Sequence, residues 1–166
     1  GVVVKPFDEG LERFKGEVCS QVRGKYTLER VKDVTTFRAY RDFFWRIGVD
    51  PTKNRPASEA LIRRVLAGKS LPTINTLVDA YNLASIVSEV ALAAFDIDKL
   101  HSKEIIMRLA RKGESFLGIG MDEPISLKGG EVVLEDAGDL IAIYPYRDAE
   151  RSKVTESTRN VALVAC

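Results

Sequence analysis

The chain has 166 residues, 45% apolar and 30% charged, with 25 Lys and Arg against 24 Asp and Glu. That arithmetic predicts one globular domain over residues 1–166, and near-neutrality leaves no global field to pull the whole chain onto nucleic acid or an anionic membrane. No apolar run approaches the roughly 20 residues of a bilayer crossing and no signal-peptide pattern opens the chain, so a cytoplasmic protein with no membrane partner is expected.

Val2 to Val4 form a short β-branched run that Pro6 ends. Over about 8–23, Leu11, Phe14, Val18 and Val22 recur at spacings of three and four, which predicts an amphipathic helix. Thr35 or Thr36 is suited to N-cap a second helix, with Phe37, Tyr40, Phe44 and Ile47 on one face and Gly48 closing it. Pro51 and Pro56 mark a turn before a third helix over about 57–67, ended by Gly68; a fourth, over about 74–88, buries Leu77, Val78, Tyr81 and Ala84 or Ser85. From Ala91 onward the period changes, and 104–109, 115–118, 131–134, 140–144 and 160–165 read as short strands separated by turn residues such as Gly129-Gly130 and Ala137-Gly138. Helices first and strands after is an α+β signature. The absence of an initial Met, and an end inside the strand-like run 161–165, suggest a piece of something longer.

The side-chain inventory narrows the chemistry. His101 is the single histidine and follows a polar turn, and no Ser or Cys stands in a Gly-x-Ser-x-Gly context, so histidine-dependent nucleophilic catalysis is disfavoured. Cys19 and Cys166 are too few for a disulfide framework or a four-thiolate site and read as plain thiols; neither a metal nor a cofactor is expected. No P-loop occurs, and Gly118-Ile119-Gly120 lacks the third glycine and following helix of a dinucleotide fingerprint.

Three stretches are uneven. Between Arg38 and Lys69, eight basic residues oppose three acidic ones, a net +5, which leaves −4 for the rest of a chain whose total is +1. That stretch is either a solvated, salt-bridged face or a phosphate-contacting patch built on Arg41, Lys53, Arg55, Arg63, Arg64 and Lys69. On the fourth helix Asn75, Asp79 and Asn82 share one face at i, i+4 and i+7; they either cap neighbouring backbone or line a pocket. Tyr144-Pro145-Tyr146-Arg147-Asp148 follows a strand, and Pro145 stops ladder pairing, so its side chains should project from a bend at a strand end. An Arg147–Asp148 ion pair is the simpler reading of that bend.

From the fourth helix onward the chain resembles a known family. Ile74-Asn75-Thr76-Leu77-Val78-Asp79-Ala80-Tyr81-Asn82, then Ala93-Ala94-Phe95-Asp96-Ile97-Asp98-Lys99-Leu100, Arg111-Lys112-Gly113-Glu114 and 154–163 are similar to the tRNA-binding and editing domain of the phenylalanyl-tRNA synthetase beta chain. Arg63-Arg64 and Arg147-Asp148 resemble instead short free-standing proteins built on that domain alone. The resemblance implies an α+β fold in which helices cover a β-sandwich of unusual topology, an RNA partner, and hydrolysis of tyrosine wrongly attached to tRNA. Asn75, Asp79, Asn82, Phe95, Thr155 and Thr158 are retained at the family's positions. Ala93 replaces a histidine, Val164 replaces a recognition carboxylate, and Tyr144 to Asp148 replace a glycine-bearing pocket loop, so a smaller, more polar or reshaped pocket is expected.

The leading expectation is an aminoacyl-tRNA deacylase acting in trans on mischarged tRNA. Asn82 with Thr155 or Thr158 would orient water, Asp148 would bind the α-amino group or act as base, and Arg147 or backbone amides would meet the oxyanion. Asn75, Asp79, Tyr144, Tyr146 and Arg147 would contact the substrate, with the basic patch on the acceptor stem. The alternatives are a non-catalytic RNA-binding module, and an amino-acid-like ligand whose carboxylate pairs with Arg147.

Overall fold

The computed structural model describes residues 1–102 and 104–166. Among these, four helices come first: α1 (Glu9–Lys25), α2 (Thr35–Arg46), α3 (Ala57–Leu66) and α4 (Thr76–Ser88). Eight strands follow: β1 (Leu92–Asp96), β2 (Ile106–Leu109), β3 (Ser115–Phe116), β4 (Ile125–Ser126), β5 (Val132–Asp136), β6 (Asp139–Ile143), β7 (Arg147–Asp148) and β8 (Val161–Ala165). The class is α+β, and no helix among the described residues is long and apolar enough to cross a membrane.

Asp8 caps α1 by accepting from the Leu11 N–H at 3.0 Å. Val18 and Val22 of α1 then meet Phe37 of α2, Ile62 and Val65 of α3, and Leu83 and Ile86 of α4 in one core closed by Val31 and Leu71. The residue preceding α2 is Val34, without a side-chain cap, so neither Thr35 nor Thr36 plays the expected part. Thr36 donates instead to the Glu89 carboxylate, which also receives Lys25 at 2.8 Å and the Tyr26 hydroxyl at 2.6 Å. A charge-assisted hub at the end of α4 thus outcompetes a local cap.

The sheet runs β2-β5-β6-β7, every pair antiparallel, while β1 and β8 form a separate two-stranded ribbon. Ala137 (φ 51°) and Gly138 (φ 96°) make the two-residue turn between β5 and β6, both left-handed, as a hairpin matching the right-handed strand twist requires. Val133 and Ile143 are register partners on one face of the sheet, packed with Phe116 and Leu127. Leu134 and Ala142 are partners on the other face, packed with Ala93 and Phe95 of the ribbon. A bulge at Leu134/Glu135 brings Ile141 onto the same side as Ala142, thickening the contact under Phe95. On the ribbon's far side, Ala94 meets Val78 of α4 and Val154. Helices therefore cover a small two-layer sandwich. The sequence reading missed β1 because Ala93 to Asp96 are all buried, which erases the period-two alternation.

Candidate functional site

The chain leaves β6 at Ile143, turns through Tyr144-Pro145-Tyr146 and returns as β7, with Ile143 opposite Arg147 and Ala142 opposite Asp148. Pro145, with no N–H to donate, suits the bend. Facing this turn are Ala57 at the start of α3, Ala91, Leu92 and Ala93, Leu134 of β5, and Cys166; together with the turn they line a small recess that opens to solvent. Aromatic contacts with α2 hold both tyrosines: Phe43 meets Tyr144 edge-on at 6.1 Å and Phe44 meets Tyr146 at 6.3 Å. The Tyr40 hydroxyl accepts from the Ala91 N–H at 3.0 Å and donates to the Cys166 carbonyl, pinning the segments on either side of the ribbon's open end.

Asp148 is the acidic side chain lining this recess. It is half-buried, and among the described residues it has neither an ion pair nor a side-chain hydrogen bond; burial pushes its carboxyl up from 3.8 to about 6. Burial, and then the Asp148 charge, raise the Cys166 thiol to about 11, leaving it a weak nucleophile. The same two causes raise the Tyr81 phenol of α4. Arg147 stands exposed beside Asp148 without pairing to it, its Nη1 donating to the Ile119 carbonyl at 3.2 Å. The ion pair anticipated at this bend does not form.

Of the expected substrate and catalytic residues, Tyr144, Tyr146, Arg147 and Asp148 come together here. Asn75, Asp79 and Asn82 do not line the recess. Asn75 is the buried N-cap of α4, accepting from Val78 N–H at 2.9 Å. Asp79 accepts from the Ile74 N–H at 3.0 Å and pairs with Lys15 at 3.2 Å, and Asn82 borders a separate crevice with Lys15, Leu61 and Pro72. Asn75 thus caps α4 and Asp79 fastens it to α1 and Ile74. Thr155 and Thr158 also lie outside the recess. The buried Thr158 hydroxyl accepts from the Thr155 N–H at 2.9 Å and donates to Asp96 at 2.6 Å, while the Thr155 hydroxyl pairs with Ser157 at 2.8 Å. They close the Asp96 end of the ribbon, and the recess lies at its Leu92 end, roughly 13 Å away at the rise of an antiparallel strand.

The basic stretch divides. Glu59 is fully buried, and Arg41 (3.1 Å) and Arg63 (2.7 Å) both pair with it; Arg41 also donates to the Pro51 carbonyl and Arg63 to Leu28. These two clamp α2, α3 and their linkers. Arg64 bonds the Ser70 carbonyl at 2.6 Å but stays exposed, as do Lys53, Arg55 and Lys69. Residues 47–56 carry Lys53 and Arg55 straight into Ala57 on the recess wall. Sequence reasoning missed Ala57, Ala91, Leu92 and Cys166; small and apolar, they carry no chemical signature, and only the approach of α3 to the ribbon makes them a wall.

Fold and recess together define an α+β domain with a pocket at a strand-end bend, bordered by helices. A profile of the B3/4 domain matches residues 39–166, and the chain belongs to that family. It is 32% identical over 107 residues to the phenylalanine–tRNA ligase beta subunit of Protochlamydia amoebophila, covering 64% of this chain and 13% of that one. With the corresponding subunit of Thermotoga maritima it shares 34% over 101 residues, covering 61% and 12%. The chain therefore spans about one-eighth of these relatives. Among solved structures, an N-terminal fragment of the Pyrococcus horikoshii phenylalanyl-tRNA synthetase beta subunit aligns with TM-score 0.45 and 21% identity, over 53% of this chain and 33% of that chain. Ala93 and Val164 are register partners on β1 and β8, on the side of the ribbon that packs on the sheet. The recess thus takes its charge from β7.

Proposed function

We propose that this chain docks the acceptor end of an aminoacylated tRNA and hydrolyses a wrongly attached amino acid in trans, in the cytoplasm. The carrying observation is the continuity of the basic loop with the recess: Ala57 lines the wall two residues after Arg55. Phosphates on Lys53 and Arg55, with Arg64 and Lys69 along α3 and its end, would fix the orientation of the RNA without reading its sequence. The terminal ester would then enter the recess. That the relatives are tRNA ligase subunits supports the choice of RNA partner.

Asp148 is the general base of this reading. A carboxylate with a value of about 6 is ionised at pH 7.5 yet basic enough to take a proton from water. The water oxygen adds to the ester carbonyl, the bond to the ribose oxygen breaks, and the proton passes to that oxygen, releasing free amino acid and tRNA. An aminoacyl ester is already activated, so positioning supplies most of what remains. The test is a panel of mischarged tRNAs incubated with the protein. At least one should be hydrolysed well above the buffer rate and spared by Asp148→Asn; a panel left wholly at the buffer rate refutes the reading.

One observation favours a second reading. The unpaired Asp148 carboxylate in the recess complements the ammonium of a free amino acid as well as that of an esterified one. Calorimetric binding of a free amino acid, without RNA and without hydrolysis, would favour an amino-acid-binding protein.

A further inference from the structure

We infer that Trp45 is a stacking platform for an unpaired base at the 3′ end of the RNA, one lying upstream of the nucleotide that carries the ester. The inference rests on the RNA partner of the deacylase reading and adds which part of that RNA the helical face takes. Phe43, Phe44 and Trp45 are consecutive on α2. The first two are spent within the fold, Phe43 on Tyr144 and Phe44 on Tyr146. Trp45 is 59% exposed, and among the described residues it meets no aromatic ring and makes no side-chain hydrogen bond. A single exposed ring means nothing by itself. Its mounting and its neighbours give it a use.

The ring stands on a fixed backbone. Gly48, at φ 75°, closes α2 with a pair of bonds: its N–H donates to the Trp45 carbonyl at 3.2 Å, and the Val49 N–H donates to the Phe44 carbonyl at 2.8 Å. Arg41, one turn before Trp45 on the same face, donates to the Pro51 carbonyl at 3.4 Å, which brings the 50–54 turn to that side of the helix. Within the turn the Lys53 and Asn54 N–H groups donate to the Asp50 carbonyl at 3.1 and 2.9 Å. The Asp50 carboxylate is occupied by Thr52, accepting from its N–H at 2.8 Å and its hydroxyl at 2.6 Å. Arg38, two turns before Trp45 on the same face, and Arg46, next in sequence, are exposed on α2 beside Asp42, and the turn adds exposed Lys53. Glu59 consumes Arg41 and Arg63, whereas Arg38, Arg46 and Lys53 make no side-chain ion pair or hydrogen bond among the described residues.

Stacking needs the flat face of a base, and a duplex buries those faces and leaves edges and phosphates outside. An exposed indole among unpaired cations therefore fits an unpaired nucleotide, with the ring under the base and the cations on neighbouring phosphates. Phe43 faces the recess turn, and Trp45, two residues on, lies about 200° round the helix from it. The thickness of α2, about 10 Å, separates the indole from the recess, so the stacked base is not the esterified one.

Trp45 is the sole tryptophan, so intrinsic fluorescence reports on it alone. The protein is titrated with an RNA hairpin carrying a four-nucleotide 3′ overhang, with the same hairpin carrying one overhanging nucleotide, and with the blunt hairpin; affinities are read in parallel from the anisotropy of a label in the hairpin loop. The long overhang should quench the fluorescence and bind about tenfold tighter than the other two. Trp45→Ala should remove that tenfold advantage, and Trp45→Phe, which keeps a ring, should bind within about threefold of wild type. Trp45→Ala should leave the slope of log affinity against log salt unchanged, because stacking releases no counterion, and the melting temperature within about 2 °C.

An alanine variant that binds all three hairpins as wild type does, or loses affinity equally for all three, overturns the stacking. Full advantage from a single overhanging nucleotide overturns the upstream placement. Conversion of a dimer to a monomer by Trp45→Ala with RNA binding untouched assigns the ring to a second copy and overturns the stacking too. If wild type binds none of the hairpins, the RNA partner falls and the stacking falls with it. RNA binding indifferent to Trp45 sinks the stacking alone and leaves the deacylase reading standing, so the two failures are told apart.

Discussion

Replacing Asp148 by Asn should make the protein more stable and inactive together. The carboxyl sits in a wall of alanines, leucines and aromatic rings with no cation paired to it, and burial lifts it from 3.8 to about 6. At 1.36 kcal/mol per pH unit, keeping it ionised costs the fold about 3 kcal/mol; solvent at the open mouth reduces the expected gain from a neutral isostere to about 2 kcal/mol. The sign follows from linkage. Below 3.8 the side chain is protonated in both the folded and unfolded chain, and no cost exists. Between 3.8 and about 6 the unfolded chain ionises first, so stability falls as pH rises, and above about 6 the full cost is present. Urea denaturation of wild type and Asp148→Asn at pH 7.5, 6.0 and 4.5 reads this directly. The gap between the two should be largest at pH 7.5 and shrink steadily toward pH 4. An Asn variant no more stable than wild type at pH 7.5, or a gap independent of pH, would refute the claim that Asp148 is held ionised at a cost for its function.

The same group predicts that kcat/KM for deacylation rises about tenfold per pH unit below about 6 and levels above it; a flat profile from pH 5 to 8 removes Asp148 as base. Glu59→Ala strands Arg41 and Arg63 around a buried gap and should cost about 3 kcal/mol in urea denaturation, whereas Lys53→Ala and Arg55→Ala should stay within about 0.5 kcal/mol of wild type. The double variant of Lys53 and Arg55 should weaken tRNA binding and lower the slope of log affinity against log salt by about 2, read by filter binding over a salt series. Glu89 holds φ 64° and binds Lys25, Tyr26 and Thr36. Glu89→Gly and Glu89→Ala should both destabilise, the glycine variant by about 1 kcal/mol less, because it alone adopts that backbone freely; thermal melts that rank alanine above glycine contradict this.

Much of this protein is legible in its residue pattern, for a local reason. Val18 and Val22, or Ile62 and Val65, recur at the helical period, and each predicted helix closes at its expected glycine or within two residues of its expected end. The order of helices and strands, the Ala137-Gly138 hairpin and the projecting Tyr144 to Asp148 bend are likewise set by neighbours in the chain. What residue type and spacing do not specify is which polar side chains spend their bonding capacity on the fold. Asn75, Asp79, Thr158, Arg41 and Arg63 look like chemistry in one dimension, yet each is consumed by a cap, a buried lysine, a buried aspartate or Glu59. Asp148 is the reverse case. It is buried without a partner, and that is decided only when β7, the β1–β8 ribbon and the start of α3 close around it. Periodicity reports the burial of a face; whether a buried charge is satisfied depends on side chains brought together from distant parts of the chain, and only the tertiary structure settles it.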